Sequence, residues 1–372
     1  KDNKYTNFFR NFKSFYEKLL HYQESHLDVL ANGFLSKCQI IEIKSWQIEQ
    51  AITMFNSLNS TGMPLSDADI ISAHLFSHAS NKDEFKGIWE PIIQSADKLA
   101  QNKIINIDNV LQQFMYMNRS KERQYSEGEL TTPGVRKYYT VLYPELLETP
   151  DTLCDKFSKI LRIWDKIQSY SIVKLMMKFN ENFKLFLISY LFRVPEDEIT
   201  ESNITPIVEC LLRLFALLEV GDYSYSSRYF KTFLFNENFK LVDEAYKIEG
   251  ILEDFNKHIS STWKEEDVLT DLMEYDKNIL VYLNEYLYAK EHKMPFDFTP
   301  EKVNVEHIMP ASGHNIESVR VNANLSKEEF EDLVNLLGNK ILLEEDINKH
   351  IGMDWFQTKK GTLVQDKKGY VG

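Results

Sequence analysis

The sequence is short of cysteine, of positive charge and of long apolar runs. Only Cys38, Cys154 and Cys210 occur in 372 residues, far apart and with no CxxC pair. This excludes a disulfide scaffold and a zinc site built on thiolates, and it points to a reducing compartment, with the cytoplasm as the expected location. No apolar run approaches the roughly 20 residues that a membrane-crossing helix needs, so no membrane partner is expected. No charged-then-apolar leader opens the chain. The start, "KDNKYTNFF", has no initiating Met and reads as a piece of a longer or processed protein. Lys and Arg number 43 against 56 Asp and Glu, a net charge of −13. That balance argues against a general nucleic-acid coat, although a small site depends only on its local field.

What is present is the profile of a folded protein. Hydrophobic residues make up 43%, aromatics 13% and charged residues 27%, as in ordinary globular domains. The length favours two or three domains. From Lys349 onward the sign of the charge reverses, with five lysines against Asp354 and Asp366.

Along the chain, "YTNFFRNFKSFYEKLLHY" places Phe8, Phe9, Phe12, Phe15, Tyr16 and Leu19 at helical spacing. Residues 38–45, "CQIIEIKS", alternate as a strand does, and "QIEQAITMFNSLNS" predicts a helix with Ile48, Ala51, Ile52 and Phe55 inward. After the turn "STGMPL", Ser66 caps a further helix whose Asp67 or Asp69 serves the helix dipole. Residues 83–293 are a succession of amphipathic helical patterns, broken at Thr132-Pro133-Gly134, Thr149-Pro150 and Val194-Pro195. Beyond Pro295 and Pro300 the character changes. A short strand is expected over 302–308, followed by a loop to about Leu325. A helix then opens on Ser326 with Glu329 three residues on, before the strand "NKILL" and a helical segment from about Glu345.

Within that last unit, "VNVEHIMPAS" puts Glu306 and His307 side by side in an apolar run that ends at Pro310. Hydrolysis of a phosphodiester needs a base to deprotonate water and a cation to stabilise charge on the phosphate and the leaving oxygen. A neutral imidazole supplies the base. A carboxylate beside it and an amide oxygen from a following helix suit a hard ion such as Mg²⁺. Pro310 would fix the loop that leaves the strand. The duller reading is a histidine satisfied by a backbone carbonyl near a strand end. Gly338-Asn339 before an apolar strand, and Asn348-Lys349 on the next helix, weigh against that reading.

The order "VEHIMP…LGNKILLEEDINKH…WFQTKK" resembles the HNH, or His-Me finger, nucleases, in particular the C-terminal nuclease domain of GmrSD-type restriction endonucleases. The resemblance implies His307 as general base and Glu306 as a metal ligand. It implies that Asn339 ties the loop to the second strand and that Asn348 completes a Mg²⁺ or Mn²⁺ site. Phe356 with Lys359 or Lys360 falls where the family has its closing aromatic and lysine, and Lys349, Lys359 and Lys360 are the residues expected to hold the DNA backbone. Lys340 stands where the family has Leu, which suits an exposed strand position. "FNSLNSTGMPLSDADII" resembles a stretch of the ParB-like N-terminal domain of the same proteins. It implies half of a nucleotide site at Asn59, Gly62 and Asp67, used with a nucleoside triphosphate in the full-length protein. The upstream "DGQQR" segment of that domain is absent from this chain.

A third stretch, "GDYSYSSRYFKTFLF", offers tyrosines with Arg228 and Lys231 either as a surface for bases and phosphate or, more plainly, as the cover of a helix junction. His314 and His350 read as surface residues.

The expected fold is therefore mainly α. Residues 1–80 would be the remnant of a ParB-like α/β domain, 81–295 a helical bundle, and 296–372 a ββα unit of HNH type. The expected function is metal-dependent cleavage of DNA, modified phage DNA included, in restriction or phage defence, with a homo-oligomer allowed. The alternatives are a non-catalytic DNA- or partner-binding scaffold and an RNA-directed nuclease with the same chemistry.

Overall fold

A computed structural model describes residues 3–20, 24–37, 66–122, 134–221, 225–313 and 316–351, with positions 50 and 54. The strand expected over 38–45, and nearly all of the helix expected after it, lie outside these residues. The described residues are mainly helical, with two strands. The chain divides into two units, residues 1–107 with 139–153, and residues 108–138 with 154–372.

In the first unit, α1 (Asn3–Leu20) and α2 (Glu24–Lys37) precede α3 (Asp67–His78) and α4 (Lys82–Gln101). The aromatic spacing of α1 does form a helix, yet Phe8, Phe9, Phe12, Phe15 and Tyr16 are exposed. Helix α3 begins with a capping box: the Ser66 hydroxyl accepts from the Asp69 N–H at 3.1 Å, and the Ser66 N–H donates back to the Asp69 carboxylate at 3.1 Å. Its buried face, Ile70, Ile71 and Leu75, lies against the short turn Pro144–Glu148. The Asn81 side chain caps α4 by accepting from the N–H groups of Asp83 and Glu84.

The second unit starts with α5 (Ile107–Lys121) and α6 (Pro150–Ile167), then α7 (Ser171–Met176), α8 (Phe183–Leu191), α9 (Glu201–Val220) and α10 (Ser227–Lys240). The helices α11 (Ile248–Thr262), α12 (Glu265–Met273) and α13 (Ile279–Glu291) complete the helical body. Helix α9 is the most apolar of the long helices and touches α7, α8, α11, α12 and α13. It stops at Gly221, whose φ of +115° suits a residue without a Cβ. Trp164 and Gln113 are both buried, and the indole N–H donates to the amide oxygen at 2.8 Å, so neither polar atom is stranded.

The chain then forms β1 (Val303–His307), α14 (Ile316–Asn322), α15 (Lys327–Asn335), β2 (Lys340–Glu344) and α16 (Glu345–Ile351). The strands pair antiparallel, with Val305 opposite Leu342, Glu306 opposite Ile341 and His307 opposite Lys340. Helix α16 lies against both strands, and β2 lies against α13. The expected capping box of α15 is present: the Glu329 N–H donates to Ser326 Oγ at 3.2 Å, and the Ser326 N–H donates to Glu329 Oε2 at 2.8 Å.

Two sequence expectations need correction. The loop expected to run to Leu325 contains α14, which exists because Val319 and Ile316 close a small core with Phe330, Val334, Met309 and Leu325. Tertiary burial supplies what seven residues of weak local propensity do not. Lys340, expected on an exposed position, is only 5% exposed. Its aliphatic stem fills a core position, and its ammonium donates to the backbone carbonyl of Asp276.

Candidate functional site

His307 is the last residue of β1, and Glu306 precedes it. Both are half-buried, and the His307 Nε2 is shielded from solvent. Alternation along a strand sends neighbouring side chains to opposite faces. Glu306 and His307 are both still paired in the ladder, His307 opposite Lys340, and the chain then turns through Ile308 and Met309 to the buried Pro310.

Asn339 holds this turn. The Ile308 N–H donates to the Asn339 carbonyl at 2.9 Å, and the Met309 N–H donates to Asn339 Oδ1 at 2.7 Å. Asn339 Nδ2 in turn donates to the carbonyls of Met309 at 2.9 Å and Val334 at 2.8 Å. The side chain thus ties the loop after β1 to the start of β2 and to the end of α15. Asn348 is half-buried on α16, the helix that covers both strands.

Lys349 stands on the same helix but is exposed, and its ammonium pairs with Glu345 at 2.5 Å. That carboxylate raises the Lys349 pKa and keeps the group charged. Asp67 lies in the first turn of α3, in the other unit, half-buried, and the cap beside it is made by Asp69. Asn59, Gly62, Phe356, Lys359, Lys360 and His314 fall outside the described residues, as does the side chain of His350. From the tyrosine-rich stretch, Tyr225 donates to or accepts from His258 Nε2 at 2.6 Å and lies 4.4 Å from the Trp263 ring, so it fills the junction between α10 and α11.

One supporting residue, Glu285, escaped the sequence reading, and a second, Lys340, was expected on the surface. Glu285 of α13 is buried, and its Oε1 accepts from the Leu342 N–H of β2 at 3.4 Å. Burial raises its pKa, the Leu342 N–H lowers it again, and Glu344 raises it further. Glu285 Oε2 is buried with no hydrogen-bond partner. Lys340, across the sheet from His307, has its pKa lowered by burial and raised in part by Asp276. Together with the Leu337 N–H, which donates to the Tyr275 carbonyl at 2.9 Å, these contacts fasten β2 to the helical body. The signal for Glu285 was available: it lies in an i, i+4 row with Val281 and Ala289, both buried.

Among the described residues, no three side chains of His, Cys, Asp or Glu gather as a metal cluster. The Glu306 carboxylate and the Asn348 amide oxygen are hard oxygens of the kind Mg²⁺ takes with several waters retained, and no contact between the two side chains is seen.

Residues 226–368 match the family model described as GmrSD restriction endonucleases, C-terminal domain. The chain carries a GmrSD-type C-terminal portion. The GmrSD-type match begins at Ser226, just before α10, so it takes in the last four helices of the body together with β1, β2 and α16. It places this portion among domains of the restriction-endonuclease type. No curated protein matches the chain. Among the described residues no helix is long and apolar enough to cross a membrane.

Proposed function

We propose that the GmrSD-type portion is a metal-dependent DNA endonuclease of the HNH, or His-Me finger, kind, serving modification-dependent restriction or phage defence. The observation that carries this reading is the Asn339 clamp on Met309, two residues past His307, which fixes the chain leaving the histidine. A general base gains from such fixing because proton transfer needs its acceptor nitrogen within hydrogen-bond reach of water.

In this reading His307 takes the proton from the attacking water. Nε2 is shielded from solvent, which leaves Nδ1 for that role. Glu306 and Asn348 would hold Mg²⁺ or Mn²⁺, which when bound stabilises charge on the phosphate and the leaving oxygen. Lys349, with Lys359 and Lys360, would hold the DNA backbone as point charges. Asp67, with Asn59 and Gly62, would belong to a ParB-like nucleotide site of the full-length protein.

The test is plasmid nicking in Mg²⁺. His307→Ala is expected to lose about 10²–10⁴-fold in rate with an unchanged circular dichroism spectrum. Equal nicking by the variant would remove His307 from the chemistry.

A further inference from the structure

An open apolar groove lies between three helices of the body. Leu212, Ala216 and Leu217 of α9, Ile259 of α11, and Leu283 and Leu287 of α13 line it, around a space of about 390 Å³. Leu212 with Ala216, and Leu283 with Leu287, are i, i+4 pairs, so each helix offers a continuous apolar row. Leu287 is 52% exposed, which is unusual for a leucine with aliphatic neighbours on both sides. Arg213 and Lys290 bring two cations to the same lining, against one carboxylate, Glu209. That carboxylate already accepts from the Lys290 ammonium and from the Tyr286 hydroxyl. Arg213 uses Nη1 to donate to Asn256.

The chain also carries a helix of complementary character. Helix α12 buries none of its nine residues. Leu269 and Met273, one turn apart on one face, are 53% and 76% exposed. Two apolar anchors at i, i+4 are the pattern by which an amphipathic helix enters a groove. Around them stand Glu265, Glu266, Asp267 and Asp271, with Glu274 just past the helix end. No ion pair holds these five carboxylates among the described residues. Asp267 and Asp271 are themselves i, i+4, a spacing at which like charges weaken a helix. A surface that brings cations to this flank relieves that repulsion.

We propose that the groove receives α12 of a second copy of this chain. Leu269 and Met273 lose their exposed surface among the groove's leucines, and the acidic flank of the helix meets Arg213 and Lys290. A guanidinium takes a carboxylate through two parallel N–H bonds, which adds register to the contact. Helix α12 packs beside α9 in its own chain, yet Leu269 and Met273 remain exposed there, so they do not fill the groove of their own chain. Each copy offers one groove and one such helix, and a two-fold pair therefore makes the contact twice. The inference does not rest on the nuclease reading, since none of these residues takes part in that chemistry.

The test is sedimentation equilibrium of the whole chain at low and at high salt. A concentration-dependent dimer is expected, weaker at high salt because its exposed ion pairs are screened. Met273→Lys and Leu287→Glu each put a charge into an apolar contact that occurs twice. At about tenfold per contact, each variant is expected to dimerise about a hundredfold more weakly. Both positions are exposed, so the melting temperature of the single chain should stay near that of the wild type. Mixing the two variants restores association. The mixed pair keeps one untouched contact, and in the other the two new charges are opposite, so it forms more tightly than either variant with itself. A monomeric wild type overturns the proposal and leaves the groove to a different partner. Undiminished dimerisation by both variants, or a mixture no tighter than its components, overturns it as well.

Discussion

Asn339 and Met309 grip each other in both directions: the Met309 N–H donates to Asn339 Oδ1 at 2.7 Å, and Asn339 Nδ2 donates to the Met309 carbonyl at 2.9 Å. Thirty residues separate the two in sequence, yet this pair fixes the turn that follows His307. The same Nδ2 reaches Val334 at the end of α15, so one amide joins three segments.

Asn339→Asp keeps the acceptor and loses both donated bonds, and it places a carboxylate against two carbonyl oxygens. Each group left unsatisfied in a half-buried setting costs roughly 1–3 kcal/mol. The variant is expected to show a lower urea midpoint and faster hydrogen exchange at the Met309 amide, with plasmid nicking reduced. Wild-type exchange at that amide would mean that the clamp does not hold the turn.

Glu306 and Asn348 are expected to share a cation. Calorimetry with Mn²⁺ should show binding to the wild type, and Glu306→Ala and Asn348→Ala should each lose most of it. Unchanged heats in both variants would put any cation elsewhere. Absence of binding by the wild-type protein would favour a DNA- or partner-binding scaffold.

Glu285 predicts a pH dependence of stability. Its pKa lies above the ordinary 4.5 because of burial. The folded chain therefore holds this proton more tightly than the unfolded chain does. Stability from this group is fully present below about 4.5 and is lost as pH rises through the folded value. Glu285→Gln keeps the shape and the acceptor for the Leu342 N–H without a charge to bury. It should melt above the wild type at pH 8 and level with it at pH 4. A gap of the same size at both pH values would assign the effect to packing instead.

Much of the C-terminal unit was legible because its signals are local. A capping box needs only Ser326 and Glu329 three apart, and strand limits followed from short apolar runs between turn residues. Helix α14 was not legible, since its stability comes from Val319 meeting Phe330 and Val334 across the chain. Lys340 misled for a similar reason: its charge says surface, while the carbonyls that receive it lie more than sixty residues earlier. The candidate site was half readable. The residue types and their order named Glu306, His307, Asn339 and Asn348, but the partners of Asn339 belong to the assembled sheet and loop.

The sequence by itself determined the helical run, the strand–helix–strand–helix order and the chemical character of the residues around His307, because periodicity and capping act within a few residues. Only the tertiary structure decided that His307 faces Lys340 across the sheet, that Glu285 meets the edge of β2, and that Leu212, Ile259 and Leu287 border one groove. These are contacts between distant segments, and they form only where burial of shared apolar surface outweighs the entropy of bringing those segments together.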